Sequence, residues 1–210
     1  MIEHTLLRAD MKRDDVRQLC EEAIHHDFFG VCVCPYWITT AKEFLKDRNI
    51  KIIAALGFPM GNSMPKIKAM ETKLAVEAGA DEVDVVMNVS AALDGHWDFV
   101  EHEIHDIVSS AQGRIVKIIL ETCLLSPDQI VRGCRAIERG GAQFVQTSTG
   151  FAAMGATEEA VELIRATVDN RLGIKASGGI KDRETVEAML AAGATRLGSS
   201  NGVAIMNSPI

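Results

Sequence analysis

The 210-residue chain is 47% hydrophobic and 24% charged, the balance of a soluble globular protein with one sizeable core. Its formal net charge of −7 comes with no Lys/Arg run, which argues against a nucleic-acid groove but leaves room for a local phosphate site made of backbone amides. No apolar run approaches the roughly 20 residues needed to span a bilayer, and Glu3 breaks any signal-peptide layout; a cytoplasmic protein with no membrane or nucleic-acid partner is expected.

Short β-rich runs recur along the chain, each followed by a longer helical pattern. Strands are predicted at 2–7, 30–34, 51–57, 82–87, 114–121, 143–148, 173–176 and 195–198. Helices are predicted near 13–27, 36–47, 63–78, 97–111, 127–139, 157–168 and 182–192, with a short one after Ser200. Gly79, Gly140 and Gly193 read as C-cap glycines, and Ser126-Pro127-Asp128 as an N-cap followed by a first-turn proline. Thr157-Glu158-Glu159 opens the next helix in a similar way. The strands are apolar nearly throughout, as in Val83-Asp84-Val85-Val86 and Ile118-Ile119-Leu120, which is the pattern of parallel strands buried on both faces. Eight βα units fit an open doubly wound sheet or a closed barrel. The repeat number and the lack of a Gly-x-Gly-x-x-Gly turn after the first strand favour a single-domain α/β fold over 1–210, a (β/α)8 TIM barrel with short loops.

Five cysteines, at 20, 32, 34, 123 and 134, are an odd number, and Cys32-Val33-Cys34 has no second pair with which to hold zinc. They read as reduced packing residues, with Cys32 a candidate for the rim of a site and no metal expected.

In a barrel the site lies at the C-terminal ends of the strands. Asp84, Lys117, Glu121, Gln146 to Thr149 and Lys175 are the polar residues in or just after apolar strands. Alternation puts Lys117, Ile119 and Glu121 on one face, taken as the inward one. Asp84, Lys117 and Lys175 fit either a structural ion-pair plug or a proton-transfer site; their gathering near one end of adjacent strands favours the second. Glycine-rich turns follow three consecutive strands: Thr149-Gly150, Ser177-Gly178-Gly179 and Gly198-Ser199-Ser200, with Asn201 next. Such turns after the last strands of a barrel, with a short helix opening at Ser200-Asn201, predict a phosphate cradle.

The chain resembles the 2-deoxyribose-5-phosphate aldolases along nearly its whole length. The matching segments are Glu3-His4-Thr5-Leu6-Leu7, Val31-Cys32-Val33-Cys34-Pro35, Gly57-Phe58-Pro59-Met60-Gly61 and Glu82-Val83-Asp84-Val85-Val86. They continue with Lys117-Ile118-Ile119-Leu120-Glu121-Thr122, Thr147-Ser148-Thr149-Gly150, Gly173-Ile174-Lys175-Ala176-Ser177-Gly178-Gly179 and Gly198-Ser199-Ser200. The resemblance implies a class I aldolase of deoxyribonucleotide catabolism that reversibly joins acetaldehyde to glyceraldehyde 3-phosphate. It implies small aldehydes and a sugar phosphate as ligands, no metal or organic cofactor, and leaves a homodimer open. It assigns the proton relay to Asp84, the assisting lysine to Lys175, and second-strand roles to Cys32. Phosphate binding falls to Gly150, Gly178, Gly179 and Ser200, with Thr149 and Asn201 beside them on the substrate, and Thr5, Lys117 and Glu121 join Cys32 as secondary candidates.

Three positions depart from the family. Glu3 replaces an aspartate, one methylene longer at the mouth of the first strand, and Asn201 replaces a serine but keeps hydrogen-bonding capacity toward phosphate. Gln146 stands where the family carries its imine-forming lysine. An amide nitrogen, its lone pair delocalised into the carbonyl, neither adds to an aldehyde nor forms an iminium. Three readings follow: a working aldolase with its nucleophile substituted, a nucleophile relocated to Lys175 on the adjoining strand roughly 5 Å away, or a non-catalytic sugar-phosphate binding or sensing protein. Without a cationic neighbour at 146, Lys175 holds its proton more firmly, which weighs against relocation.

Overall fold

The computed structural model describes residues 1–208. Eight strands lie side by side in chain order: β1 (Ile2–Leu6), β2 (Gly30–Val33), β3 (Lys51–Leu56), β4 (Glu82–Val86), β5 (Ile115–Ile119), β6 (Phe144–Gln146), β7 (Gly173–Ser177) and β8 (Arg196–Ser199). Each neighbouring pair is parallel and β8 closes on β1, giving the (β/α)8 barrel expected from the repeat.

The helices are α1 (Arg13–His25), α2 (Ile38–Phe44), α3 (Pro65–Ala78), α4 (Val89–Leu93), α5 (Trp97–Ser110), α6 (Pro127–Gly140), α7 (Glu158–Val168), α8 (Arg183–Ala191) and α9 (Gly202–Asn207). They form where capping chemistry meets apolar periodicity. Ser126 and Gln129 make a reciprocal capping box at the start of α6, and Thr157 caps α7 through its hydroxyl. Gly79 ends α3 in the left-handed region at φ 116°. Gly140 is the last residue of α6, where a side chain would strike Ile104, and Gly141 rather than Gly140 takes the left-handed turn at φ 85°. α4 was not foreseen: it is one turn long and depends on Asn88, whose side chain accepts from the Ala91 amide. The predicted helix at 36–47 is shorter at both ends, opening as a 3-10 turn over Pro35–Trp37 because the proline starts the bend before α2 winds.

Two layers of core result. The outward faces of the strands pack Val31, Ala54, Val83, Ile118, Ile174 and Leu197 against the helices. The inner layer is smaller, with Cys32, Ile53 and Ala55 flanked by Leu7 and Phe58, and the remaining interior is polar. Long inward side chains fit because glycines lie opposite them: a Cβ at Gly173 would overlap the Phe144 ring, and one at Gly198 would meet the Lys175 stem at 2.9 Å.

Candidate active site

Among the described residues the barrel interior gathers six ionisable side chains, three acidic and three basic. Lys117 Nζ lies 2.5 Å from Glu82, 3.0 Å from Asp84 and 3.2 Å from Glu3. Arg196 donates to Glu3 at 2.8 Å and to Glu82 at 3.1 Å, and its guanidinium stacks 3.5 Å from the Phe29 ring centroid. Lys175 Nζ donates to both Glu3 and Asp84. Charges in such surroundings persist only because each is paired. Burial opposes the Glu3 carboxylate, but Lys117, Lys175 and Arg196 outweigh it and hold Glu3 down to about 2. Burial likewise disfavours the Lys175 ammonium, yet Asp84 and Glu3 prevail and raise its pKa above the ordinary lysine value. Cys32 Sγ sits 3.9 Å from Asp84, and burial pushes its thiol up, so it is a protonated neighbour.

Gln146 ends β6, in register with Lys175 on β7 and Ile119 on β5. Its backbone is held from both sides: the Leu120 amide donates to the Gln146 carbonyl at 2.9 Å, and the Thr147 amide to that of Lys175 at 3.0 Å. The side chain is buried, and its Nε2 donates to Ser177 Oγ at 3.0 Å while Oε1 has no hydrogen-bond partner among the described residues. Ser177 is itself fixed. Its hydroxyl donates to the Ser148 carbonyl at 2.6 Å, and its amide and carbonyl both meet the Thr147 hydroxyl at 3.1 Å.

Above this layer opens a cavity of about 360 Å³. Asp84, Lys175, Gln146, Cys32 and Thr5 line its inner end. Thr149, Gly150, Gly178, Gly179, Ser200 and Asn201 line it through the turns after β6, β7 and β8. Two of these turns interlock by backbone contact: the Ala156 amide donates to the Gly178 carbonyl at 3.0 Å, and a Cβ at Gly155 would lie 2.1 Å from that oxygen. Phe58, after β3, and Phe151, after β6, also line the cavity and meet edge to face across it, with centroids 5.2 Å apart.

The structure thus brings to the cavity the residues proposed from the sequence except Thr147, which is buried behind it against the Ser177 backbone, and two others. Lys117 does not line the cavity; it lies beneath, inside the ion-pair cluster. Glu121 does not line it either. β5 ends at Ile119, and Glu121 turns into the left-handed region at φ 58°, which breaks the assumed alternation. Its carboxylate accepts from the Thr149 hydroxyl and amide instead, and burial raises its pKa against those bonds. Glu3 is not at the mouth of the first strand. It is fully buried, paired with Gly30 and Gly198, and grips Lys175 from below. Sequence reasoning passed over Glu82 and Arg196, whose signal was a charge at an inward position of an apolar strand, and Phe58, Phe151 and Gly155, whose role depends on loops meeting in space.

The model of the DeoC/LacD family aldolases matches residues 1–207. The deoxyribose-phosphate aldolase of Geobacillus sp. (strain WCH70) is 49% identical over 207 residues, covering 98% of this chain and 93% of the relative. That of Mannheimia succiniciproducens is 47% identical over 205 residues, covering 98% and 92%. Among solved structures, the tetrameric deoxyribose phosphate aldolase from Aeropyrum pernix superposes with a TM-score of 0.92 at 30% identity, covering 99% of this chain and 88% of that one. Fold, length and sequence agree, and the chain belongs to the DeoC/LacD family of aldolases.

Proposed function

We propose that this chain is a deoxyribose-phosphate aldolase scaffold that binds 2-deoxy-D-ribose 5-phosphate or its cleavage products, acetaldehyde and glyceraldehyde 3-phosphate. With Gln146 at the end of β6, its imine catalysis is lost or strongly impaired. The phosphate occupies the glycine turns at Gly150, Gly178, Gly179 and Ser200, and the carbonyl end of the sugar points down toward Gln146, Lys175 and Asp84. Cytoplasmic location and a homo-oligomeric state belong to this same reading.

One observation carries it: among the described residues, no free amine is placed to attack at the inner end. Gln146 offers an amide, and Lys175 is 1% exposed and bound between Glu3 and Asp84. To act as a nucleophile Lys175 must lose a proton that two carboxylates stabilise. The remaining lysine along the cavity, Lys181, is exposed and follows the Gly178-Gly179 turn at the phosphate end. Without an imine, no electron sink makes the acetaldehyde carbanion accessible, and most of the rate enhancement goes with it. Asp84 and Lys175 then face a bound C1 as an ion pair, with the Lys175 proton held between carboxylates.

Borohydride reduction with 2-deoxyribose 5-phosphate, read by intact and peptide mass spectrometry, tests the reading. No adduct is expected from neutral pH up to about pH 10, the ordinary lysine range that Lys175 has been raised above. A reduced adduct on Lys175 would establish a relocated nucleophile and overturn it.

A further inference from the structure

Helix α3 is polar where it is buried and apolar where it is not. Of its four buried residues two are Lys68 and Thr72, leaving only Ala75 and Val76 as apolar contacts toward the barrel. Lys68 Nζ pairs with Glu103 at 2.9 Å and donates to the Val86 carbonyl at 2.8 Å, and the Thr72 hydroxyl donates to the Lys68 carbonyl at 2.8 Å. The opposite side exposes Ile67, Met70 and Leu74, each more than half open, with Met64 ahead of them at the cap. Positions 64, 67, 70 and 74 recur at steps of three and four, so they form one stripe along the helix. A surface helix ordinarily turns its apolar stripe to the core; this one carries a stripe that faces out.

The stripe continues beyond the helix. Ile67, Met70 and Leu74 share a groove with Pro35 and Ile38, from the segment that opens α2, and Tyr36, next to Pro35 in the chain, is 80% exposed. Taking roughly 200 Å² for a large side chain, Tyr36, Met64, Ile67, Met70 and Leu74 leave on the order of 600 Å² in water. That is the top of the range for the largest apolar patch on a monomer, about 300–600 Å², and most of the about 800 Å² that each partner covers in a standard interface.

Charge decides which partner fits. The rim carries exposed Lys66, Lys73 and Glu77, and Glu71 lies in the groove, two charges of each sign. A strongly acidic or basic partner calls for one sign; a copy turned about a two-fold axis can set lysine against glutamate on both sides. Two whole chains of net charge −7 repel, and a face of balanced charge adds nothing to that repulsion.

We propose that the α2–α3 face is an isologous homodimer interface, with a second copy of this chain laid along α3. The inference rests on the homo-oligomeric part of the reading above and gives it a location. Covering the stripe supplies α3 with the apolar burial that Lys68 and Thr72 deny its inward face. Glu71 also accepts from the Gly57 amide at 2.8 Å, next to the cavity-lining Phe58, so the interface backs onto the cavity wall.

Sedimentation equilibrium of the full chain, from about 1 to 100 μM, tests it. The native chain should run at twice the mass of one chain or more. Met70→Glu combined with Leu74→Glu, both at exposed positions, should weaken self-association about a hundredfold or more, while Leu93→Glu, at an exposed position on α4, should leave it unchanged. Amine crosslinking of a mixture of unlabelled and isotope-labelled native chain needs no substitution, and it should join Lys66 or Lys73 of one copy to the same lysines of the other. An assembly that persists in the double variant, that Leu93→Glu breaks equally, or whose mixed crosslinks avoid these lysines overturns the interface and leaves a homo-oligomer standing. A single-chain mass at every concentration overturns both, and neither result touches the aldolase reading.

Discussion

At position 146 the difference between lysine and glutamine is a matter of electrons more than of shape. The amide fits a network already made by Ser177, Ser148 and Thr147, so the site is ordered without an amine. The neighbouring charges respond to the same logic. Glu3, held at about 2 against an ordinary carboxylate value of 4.5, binds its proton less readily folded than unfolded. Its contribution is present above pH 4.5 and is lost as pH falls from there toward 2, a difference on the order of 3 kcal/mol. Thermal melts across that window should show a steep acid slope in the native chain. Glu3→Gln, less stable near neutrality, should show a shallower one; equal slopes would mean that other carboxylates govern acid unfolding.

At the level of the elements, the strand ends and the turns beyond them do separate work. β7 supplies Lys175 inward and then Gly178, whose backbone meets Gly155 from the long β6–α7 connection. Gly155→Ala would push a Cβ to 2.1 Å from the Gly178 carbonyl, so the two turns must part. Inorganic phosphate affinity should fall about tenfold or more, with a stability loss of about 1–3 kcal/mol by the usual overpacking scale; unchanged affinity would remove these turns from the phosphate site. The sequence made the strands and glycine turns legible, because buried parallel strands read as apolar runs and left-handed turns as glycine. It did not disclose that β5 and β6 stop early. That depends on Glu121 leaving the ladder to hold Thr149, a contact across 28 residues that no local pattern records. Helix α4 was hidden for a similar reason: one turn held by Asn88 leaves too little periodicity to notice.

For the whole molecule, the closed barrel forces inward side chains from non-adjacent strands into contact, as with Lys175 on β7 and Asp84 on β4. The sequence showed Asp84, Lys117 and Lys175 as charges that needed partners. Closure adds Glu3, Glu82 and Arg196 and divides the cluster: Asp84 and Lys175 reach the cavity, while Lys117 and the others form its floor. The two alternatives for these charges, structural plug and reacting site, are thus two levels of one network. Lys117→Met would leave Glu3, Glu82 and Asp84 sharing only Lys175 and Arg196, with one buried charge uncompensated, and should destabilise the fold by about 3–5 kcal/mol in denaturant melts. A loss below about 1 kcal/mol would show that the floor does not depend on that charge. The balance of three acids and three bases also bears on catalysis. An amine restored at 146 would stand beside the Lys175 ammonium, which lowers its pKa and frees its lone pair. The most direct test of an intact scaffold that lacks only its nucleophile is therefore cleavage of 2-deoxyribose 5-phosphate by the native chain and by Gln146→Lys, assayed side by side. The native chain should stay near background, and Gln146→Lys should gain several orders of magnitude with a borohydride-trapped adduct at 146. A Gln146→Lys variant that binds the sugar phosphate yet stays inactive would contradict the account and leave a binding protein in its place.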